Sequence, residues 1–202
     1  MSDPAPRIAL GVSGGIAAYK AAEIVRGLRR GGAQVHVLMT ANAQRFITPL
    51  TLETLSGHRV LSDPWDRGEG ADIQHITLAR GLDLMVVAPA TADVLAKLAH
   101  GLADDFLTTF HLAVTAPVVV APAMNNWMWE HPATRANLKT LRDRGVGVID
   151  PVAGELACGE EGVGRMAEPE TVVSAIFDRL KKKARAPRGR LRGVPSKAAA
   201  SS

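Results

Sequence analysis

The sequence predicts an α/β fold in which a parallel β-sheet carries helices on both of its faces. The predicted strands are short and almost uninterrupted apolar runs, which is typical of buried parallel strands. These strands alternate along the chain with stretches in which apolar residues recur at the spacing of an α-helix, as in α/β proteins. The length of 202 residues favours a single domain that can bury a core without disulfides or a structural metal.

The predicted elements follow one another from the N-terminus. The first strand covers residues 7–12, and Ile16, Ile24 and Leu28 then recur at helical spacing until Gly31-Gly32 ends a helix over 16–30. The remaining predictions, in chain order, are strand 34–39, two short helices within 40–56, strand 84–88, helix 91–100, strand 117–121, helix 134–144, strand 146–149 and helix 169–182.

Charge is distributed unevenly along the chain. The formal net charge of the whole chain is +4. Nine of the 24 basic residues lie at or beyond Arg179, and no acidic residue does. The part of the chain before Arg179 therefore has 15 basic and 20 acidic residues. We therefore predict a folded domain over 1–178 and a basic tail over 179–202 that is disordered. A charge block alone is weak evidence for nucleic-acid binding, so no nucleic-acid partner is expected.

Composition excludes several other classes of protein. No stretch approaches the roughly 18 apolar residues that a membrane span requires, and the short polar N-terminus is unlike a signal peptide. The single cysteine excludes an internal disulfide framework and a multi-cysteine zinc site, so no metal is expected. It is compatible with a reducing compartment, and a cytoplasmic location is expected.

The loop after the first strand, Gly11–Ile16, is the first candidate site, because ligands of parallel α/β folds bind beyond the carboxyl ends of the strands. A dinucleotide fingerprint would need glycine in place of Ser13 and an acidic residue in place of Met39-Thr40. A nucleotide phosphate loop would need glycine before Lys20. The loop matches the G-x-S-x-G of serine hydrolases, but only twelve residues precede Ser13. A phosphate or flavin loop is favoured, and a turn that merely packs is the alternative.

Two further loops follow predicted strands. In residues 88–93, Thr91 or Asp93 could cap the next helix, or the loop could contact the same ligand as the first loop. Residues 121–129 contain two Met, two Trp and the pair Asn125-Asn126, which supplies neutral donors that could orient a carboxylate. We favour a functional role for this third loop over core packing.

Two single residues have competing interpretations. His75 follows an acidic, glycine-containing stretch, and a lone histidine is more often structural than catalytic. In a packed core a cysteine is a small hydrophobic residue, but Cys158 lies instead in a glycine-rich, charged segment that could form a mobile flap.

Five segments taken together resemble the flavin-containing cysteine decarboxylases. The Asn125 loop and the Cys158 segment are far more specific to that family than the glycine loop is. The resemblance runs from about residue 7 to 175 and implies one Rossmann-like domain of flavodoxin type. The segments are GVSGGIAAYK (11–20), APATA (88–92), KLAHGLADD (97–105), APAMN (121–125) and GELACG (154–159).

The resemblance also implies FMN as cofactor and a role for each site residue. His75 would be the catalytic base, and Cys158 the acid that protonates the product intermediate. Asn125 would hold the substrate carboxylate, helped by Met124 and Ala123. The FMN site would be lined by Ser13, Gly14, Gly15, Thr40, Phe46 and Thr91.

The reaction that the resemblance implies is the conversion of 4'-phosphopantothenoylcysteine to 4'-phosphopantetheine in coenzyme A biosynthesis, through thioaldehyde and enethiolate intermediates. The family assembles as trimers, commonly arranged into dodecamers. Many bacterial members continue into a synthetase domain; this chain is expected not to perform that step, which leaves room for a separate synthetase partner.

One departure from the family pattern concerns Ala92-Asp93-Val94, where many members have Ala-Asn-Thr. A carboxylate beside a phosphate would be repelled, so Asp93 is expected to cap a helix or to face away. Three alternatives stay open: a flavin prenyltransferase, a peptidyl-cysteine decarboxylase, and a non-catalytic FMN-binding regulatory subunit.

Overall fold

The computed structural model describes residues 4–63, 71–155, 159 and 161–185, and its centre is a five-stranded parallel sheet. The sheet order is β2-β1-β3-β4-β5, and every neighbouring pair is parallel. This is the flavodoxin-like order, in which the strand sequence reverses between β1 and β3. The predicted α/β fold is therefore confirmed. The strands are β1 (Arg7–Val12), β2 (Gln34–Met39), β3 (Leu84–Ala90), β4 (Val118–Pro122) and β5 (Gly147–Val148).

Helices occupy the connections and cover both faces of the sheet. Ile8 and Leu10 of β1 belong to one buried cluster and Ala9 to another, because successive side chains of a strand point to opposite faces. The first cluster includes Ile24 and the second includes Phe110. The helices are α1 (Ala21–Arg30), α2 (Pro49–Ser56), α3 (Ala71–Arg80), α4 (Ala92–His100), α5 (Phe106–Ala113), α6 (Asn126–Glu130), α7 (Pro132–Asp143) and α8 (Pro169–Arg185).

Several elements lie outside the sequence predictions. Helices α3, α5 and α6 were not predicted, nor was the antiparallel hairpin of β6 (Val152–Glu155) and β7 (Glu161–Arg165). Helix α5 is rich in aromatic and β-branched residues, which have weak helix propensity. It begins with a capping box in which the Asp105 carboxylate accepts from the Thr108 N–H at 2.8 Å and the Thr108 hydroxyl accepts from the Asp105 N–H at 3.3 Å.

The boundaries of most predicted elements also differ, and three differences are larger or fall near the site. The segment predicted as one helix over 16–30 starts as a 3-10 turn, Ile16–Lys20, before α1. Strand β3 continues to Ala90. Helix α8 continues to Arg185, into the stretch that we assign to the basic tail; the tail beyond it lies outside the described residues. None of the described helices has the length and apolar character that crossing a membrane requires.

Candidate active site

Ser13 joins the loop after β1 to the end of β3. Its hydroxyl donates to the Pro89 carbonyl oxygen at 2.8 Å and accepts from the Thr91 N–H at 3.0 Å, while its own N–H donates to the same Pro89 oxygen at 3.3 Å. Ser13 is fully buried. A nucleophile elbow exposes its serine, so this burial argues against a serine hydrolase. Ser13 thus fixes two of the predicted ligand loops against each other.

The two glycines that follow differ in what surrounds them. A Cβ on Gly14 would lie 2.3 Å from Cβ of Asn42 and 2.7 Å from its carbonyl carbon, so only glycine allows the loops after β1 and β2 to approach this closely. A Cβ on Gly15 would meet only Thr91, at 3.5 Å. Gly15 precedes the 3-10 turn and gives it no side-chain cap. The first N–H groups of a helix lack partners within the helix, which favours an anion at this point.

Thr91 is the cap of α4, as one of the two interpretations of its loop predicted. Its hydroxyl accepts from the Val94 N–H at 3.4 Å. Asp93 forms no cap. Its carboxylate instead lies 3.4 Å from the ammonium of Lys97 on the next turn of the helix, in a cluster that also contains Asp104 and Asp105. This ion pair gives Asp93 a structural role in α4.

The loop after β4 is attached on two sides. The N–H of Ala123 donates to the Ala90 oxygen at 3.1 Å, and the N–H of Met124 donates to the Gly164 oxygen on β7 at 3.0 Å. Asn125 caps α6, because its Oδ1 accepts from the Trp127 N–H at 2.8 Å. The loop is therefore held between the end of β3 and the base of the β6–β7 hairpin.

The two tryptophans of this segment have different surroundings. Trp129 is buried, and the guanidinium of Arg135 lies 4.3 Å from the centre of its ring. Trp127 is 73% exposed. Core packing therefore accounts for Trp129 and leaves Trp127 on the surface.

These loops surround one cavity of about 610 Å³. Its wall also contains Ile16, Tyr19 and Met128. Six residues that the sequence predicted for the cofactor or substrate share this wall: Gly14, Gly15, Thr91, Ala123, Met124 and Asn125.

The other predicted site residues lie elsewhere or are not described. Thr40 directly follows β2 and is buried, and its hydroxyl accepts from the Ala43 N–H at 3.2 Å. Phe46 is 48% exposed. Neither residue is on the cavity wall. His75 is in helix α3, but its side chain is not among those described. Cys158 lies outside the described residues, in the connection between β6 and β7. Ser13 is buried and is not on the cavity wall either. The roles of all eleven predicted site residues remain predictions.

Two charged residues of the wall were not predicted as site residues. Lys20 has a side chain that is only 11% exposed, and its ammonium lies 2.9 Å from the Glu168 carboxylate. The guanidinium of Arg165 lies 3.4 Å from the same carboxylate. The hydrogen bond from Lys20 holds the pKa of Glu168 below its usual value. Glu168 lies three positions from Arg165 but 148 positions from Lys20.

The described part of the cavity wall carries cations. Among the described residues that line the cavity, none is Asp or Glu. The part of the chain that the structure describes also contains no group of three or more His, Cys, Asp or Glu side chains that could hold a metal. The cavity is thus suited to an anionic organic ligand.

The strand order and the cavity beside its reversal point define a flavin- or nucleotide-binding α/β protein. The chain belongs to the Flavoprotein family, whose model matches residues 1–181. The family resemblance seen in the sequence is confirmed.

Individual relatives agree with this assignment. The Coenzyme A biosynthesis bifunctional protein CoaBC of Vibrio cholerae is 51% identical over 168 residues, which are 83% of this chain and 42% of that protein. The chain thus spans less than half the length of the curated relatives it matches. A PPC decarboxylase mutant complexed with pantothenoylaminoethenethiol is 34% identical with a TM-score of 0.80, covering 88% of this chain and 99% of that one. The FMN binding protein AtHal3 is 35% identical with a TM-score of 0.77, covering 90% and 99%.

Proposed function

We propose that this protein is an FMN-dependent decarboxylase that converts 4'-phosphopantothenoylcysteine to 4'-phosphopantetheine in coenzyme A biosynthesis. The observation that carries this proposal is the shared cavity, whose wall combines Gly14, Gly15, Asn125 and the base of the β6–β7 hairpin. The names of the relatives support it, since they include coenzyme A biosynthesis proteins and a PPC decarboxylase bound to pantothenoylaminoethenethiol.

The residues at the cavity fit FMN. A volume of about 610 Å³ falls within the range of roughly 300–1,000 Å³ for small-molecule sites. Gly14 and Gly15 let the backbone approach a ligand, and the start of the 3-10 turn favours a phosphate. Apolar side chains such as Ile16 and Met128 would contact the flavin ring. We place Thr91 beside the phosphate, with Ser13 holding the two loops in position.

Loss of CO2 from a cysteine carboxyl would leave electrons on carbon with nowhere to go. FMN, when bound, would take up a hydride equivalent from the carbon next to sulfur and return it after CO2 has left. His75 would remove the thiol proton at the start. The thioaldehyde so formed accepts the electrons as CO2 departs, which gives an enethiolate. Cys158 would deliver the proton that completes the product.

Asn125 would orient the substrate carboxylate. Because Oδ1 accepts from the Trp127 N–H, the amide NH2 is the end that would donate to a carboxylate. A neutral donor fixes the group without an opposing charge that would stabilise the carboxylate against loss. Met124 and Ala123 would close the same side of the cavity.

We also propose that the protein works as a homotrimer, assembled into a dodecamer, in the cytoplasm. Large apolar side chains on the surface support an assembly, since exposed apolar area can mark interaction sites; they include Leu50 (70% exposed) and Trp127 (73%). The bifunctional relatives suggest that a synthetase acts with this domain, as a separate partner or otherwise. Sedimentation equilibrium of the purified protein tests the assembly.

Release of CO2 tests the proposed reaction. FMN-loaded protein is incubated with 4'-phosphopantothenoylcysteine whose cysteine carboxyl carries an isotopic label, with no nicotinamide added. Labelled CO2 is expected. Parallel assays with a cysteine-terminated peptide and with dimethylallyl phosphate plus reduced FMN test the peptidyl-cysteine decarboxylase and flavin prenyltransferase alternatives. Activity only in one of these would replace the proposal, and FMN binding without any turnover would favour a regulatory subunit.

A further inference from the structure

We infer that Arg165 binds the phosphate of the substrate and thereby makes the enzyme selective for phosphorylated over unphosphorylated pantothenoylcysteine. The inference rests on the proposed function and assigns a residue to a part of the substrate that lies far from the reacting cysteine.

The charges on the cavity wall point to Arg165. Lys20 and Arg165 share a single carboxylate, that of Glu168, so the three side chains carry one excess positive charge. The Lys20 ammonium is mostly buried and lies closer to Glu168, at 2.9 Å. The Arg165 side chain is 42% exposed and lies at 3.4 Å. The cation that is available to an incoming anion is therefore Arg165.

Arg165 lies on the hairpin side of the cavity, next to a loop that we assign to the substrate. It directly follows Gly164, whose oxygen accepts from the Met124 N–H in the loop that contains Asn125. We place the phosphate of FMN instead at the start of the 3-10 turn after Gly15. The two phosphates are thus assigned to different residues of one wall.

The guanidinium of Arg165 lies against the neighbouring strand of the hairpin. A Cβ added to Gly154 on that strand would lie 2.7 Å from Nη1 of Arg165. The guanidinium also contacts the Glu168 carboxylate, at 3.4 Å. A guanidinium can offer two parallel N–H donors to a phosphate, which an ammonium cannot do.

The test compares two substrates across three proteins. Wild type, Arg165→Gln and Arg142→Gln are each loaded with FMN, and kcat/KM is measured on 4'-phosphopantothenoylcysteine and on pantothenoylcysteine. Arg142 is the matched control, because its side chain is 47% exposed, pairs with a carboxylate (Asp150) and is not on the cavity wall. Flavin content and thermal unfolding are recorded for each protein.

Arg165→Gln should lower kcat/KM for the phosphorylated substrate by about 10–100-fold, the effect of losing a hydrogen bond to a charged group, and should change that for pantothenoylcysteine by less than about 3-fold. Arg165→Lys should recover part of the preference. Arg142→Gln should behave as wild type.

Other outcomes overturn the inference. An equal loss on both substrates would make Arg165 structural, and loss of FMN would assign it to the cofactor. An unchanged preference would leave the proposed function intact and remove Arg165 from phosphate recognition. Failure of wild type on both substrates would instead defeat the proposed function and, with it, this inference.

Discussion

The Oδ1 of Asn125 accepts a hydrogen bond of 2.8 Å from the backbone N–H of Trp127 and so caps helix α6. The cap engages the amide oxygen and so sets the orientation of the amide group. The side chain therefore has a structural function and a proposed chemical one at the same time, and a substitution can separate them.

Asn125→Asp should keep the helix cap and lose decarboxylase activity. An aspartate oxygen can still accept from the Trp127 N–H, so the melting temperature and the FMN content should stay close to wild type. The NH2 donor is replaced by a negative oxygen facing the substrate carboxylate, so kcat/KM should fall by at least about 100-fold. Steady-state kinetics with flavin absorbance measure both effects. Asn125→Ala should lose activity and also about 1 kcal/mol of stability, since it removes the cap as well; wild-type turnover by the aspartate variant would contradict the proposed contact.

Cys158→Ser should stop the reaction late. Without the proposed acid, CO2 should still be released and the oxidised, decarboxylated intermediate should accumulate, while final product falls by about 100–10,000-fold. Rapid quench followed by mass spectrometry distinguishes the two species. Normal turnover by this variant would remove Cys158 from proton delivery.

His75→Asn should stop the reaction early. If His75 takes the thiol proton, its loss should prevent both CO2 release and flavin bleaching, again by about 100-fold or more, without loss of bound FMN. Stopped-flow absorbance of the flavin band is the measurement. Should this variant bleach its flavin at the wild-type rate, the base lies elsewhere.

Gly14→Ala and Gly15→Ala should have different effects on the apoprotein. The new methyl group at Gly14 would overlap Asn42, with contacts of 2.3 and 2.7 Å, and should lower the free energy of unfolding by about 1–3 kcal/mol. At Gly15 the nearest atom is 3.5 Å away, so stability should change by less than about 0.5 kcal/mol. Denaturant unfolding without FMN tests this. A loss of FMN affinity in a stable Gly15→Ala protein would mean that the ligand contacts Gly15, whereas equal stability losses would contradict the packing described.

His36 should make stability depend on pH. Burial, the neighbouring ring of His58 and the charge of Arg7 lower the pKa of His36 from 6.5 to about 4. Below pH 6.5 the unfolded chain takes up a proton before the folded protein does, so His36 lowers stability progressively as the pH falls from about 6.5 to about 4. Because the side chain is only partly buried, the effect should be about 1–2 kcal/mol.

The variant His36→Phe, which keeps a ring but cannot titrate, should show a smaller loss of unfolding free energy between pH 7.5 and 5 than wild type. His100→Gln on the exposed end of α4 serves as the control. Identical pH profiles for wild type and His36→Phe would contradict this role of burial.

The sequence was informative where local pattern and burial coincide. Buried parallel strands are apolar over their whole length, so β1, β3 and β4 could be read directly, and their order along the chain indicated which loops meet at one edge. The meeting of Gly14, Thr91 and Asn125 at one cavity follows from that edge.

The unpredicted features depend on contacts between distant parts of the chain. The hairpin strands VAGE and EGVGR are glycine-rich and read as loop, and only their mutual pairing makes them strands. Lys20 and Glu168 are 148 positions apart, so no local pattern could pair them. Arg165 became a candidate site residue only because it lies beside the Lys20–Glu168 pair and on the cavity wall, and the sequence predicts neither of these features.

The central claim is tested most directly by mass spectrometry of 4'-phosphopantothenoylcysteine after incubation with the purified, FMN-loaded protein, with no nicotinamide or nucleotide added. The account predicts a product that is lighter by one CO2 and shows no net oxidation, because the reducing equivalents taken up early are returned. Unchanged substrate in the presence of a visibly flavin-loaded protein would contradict the account.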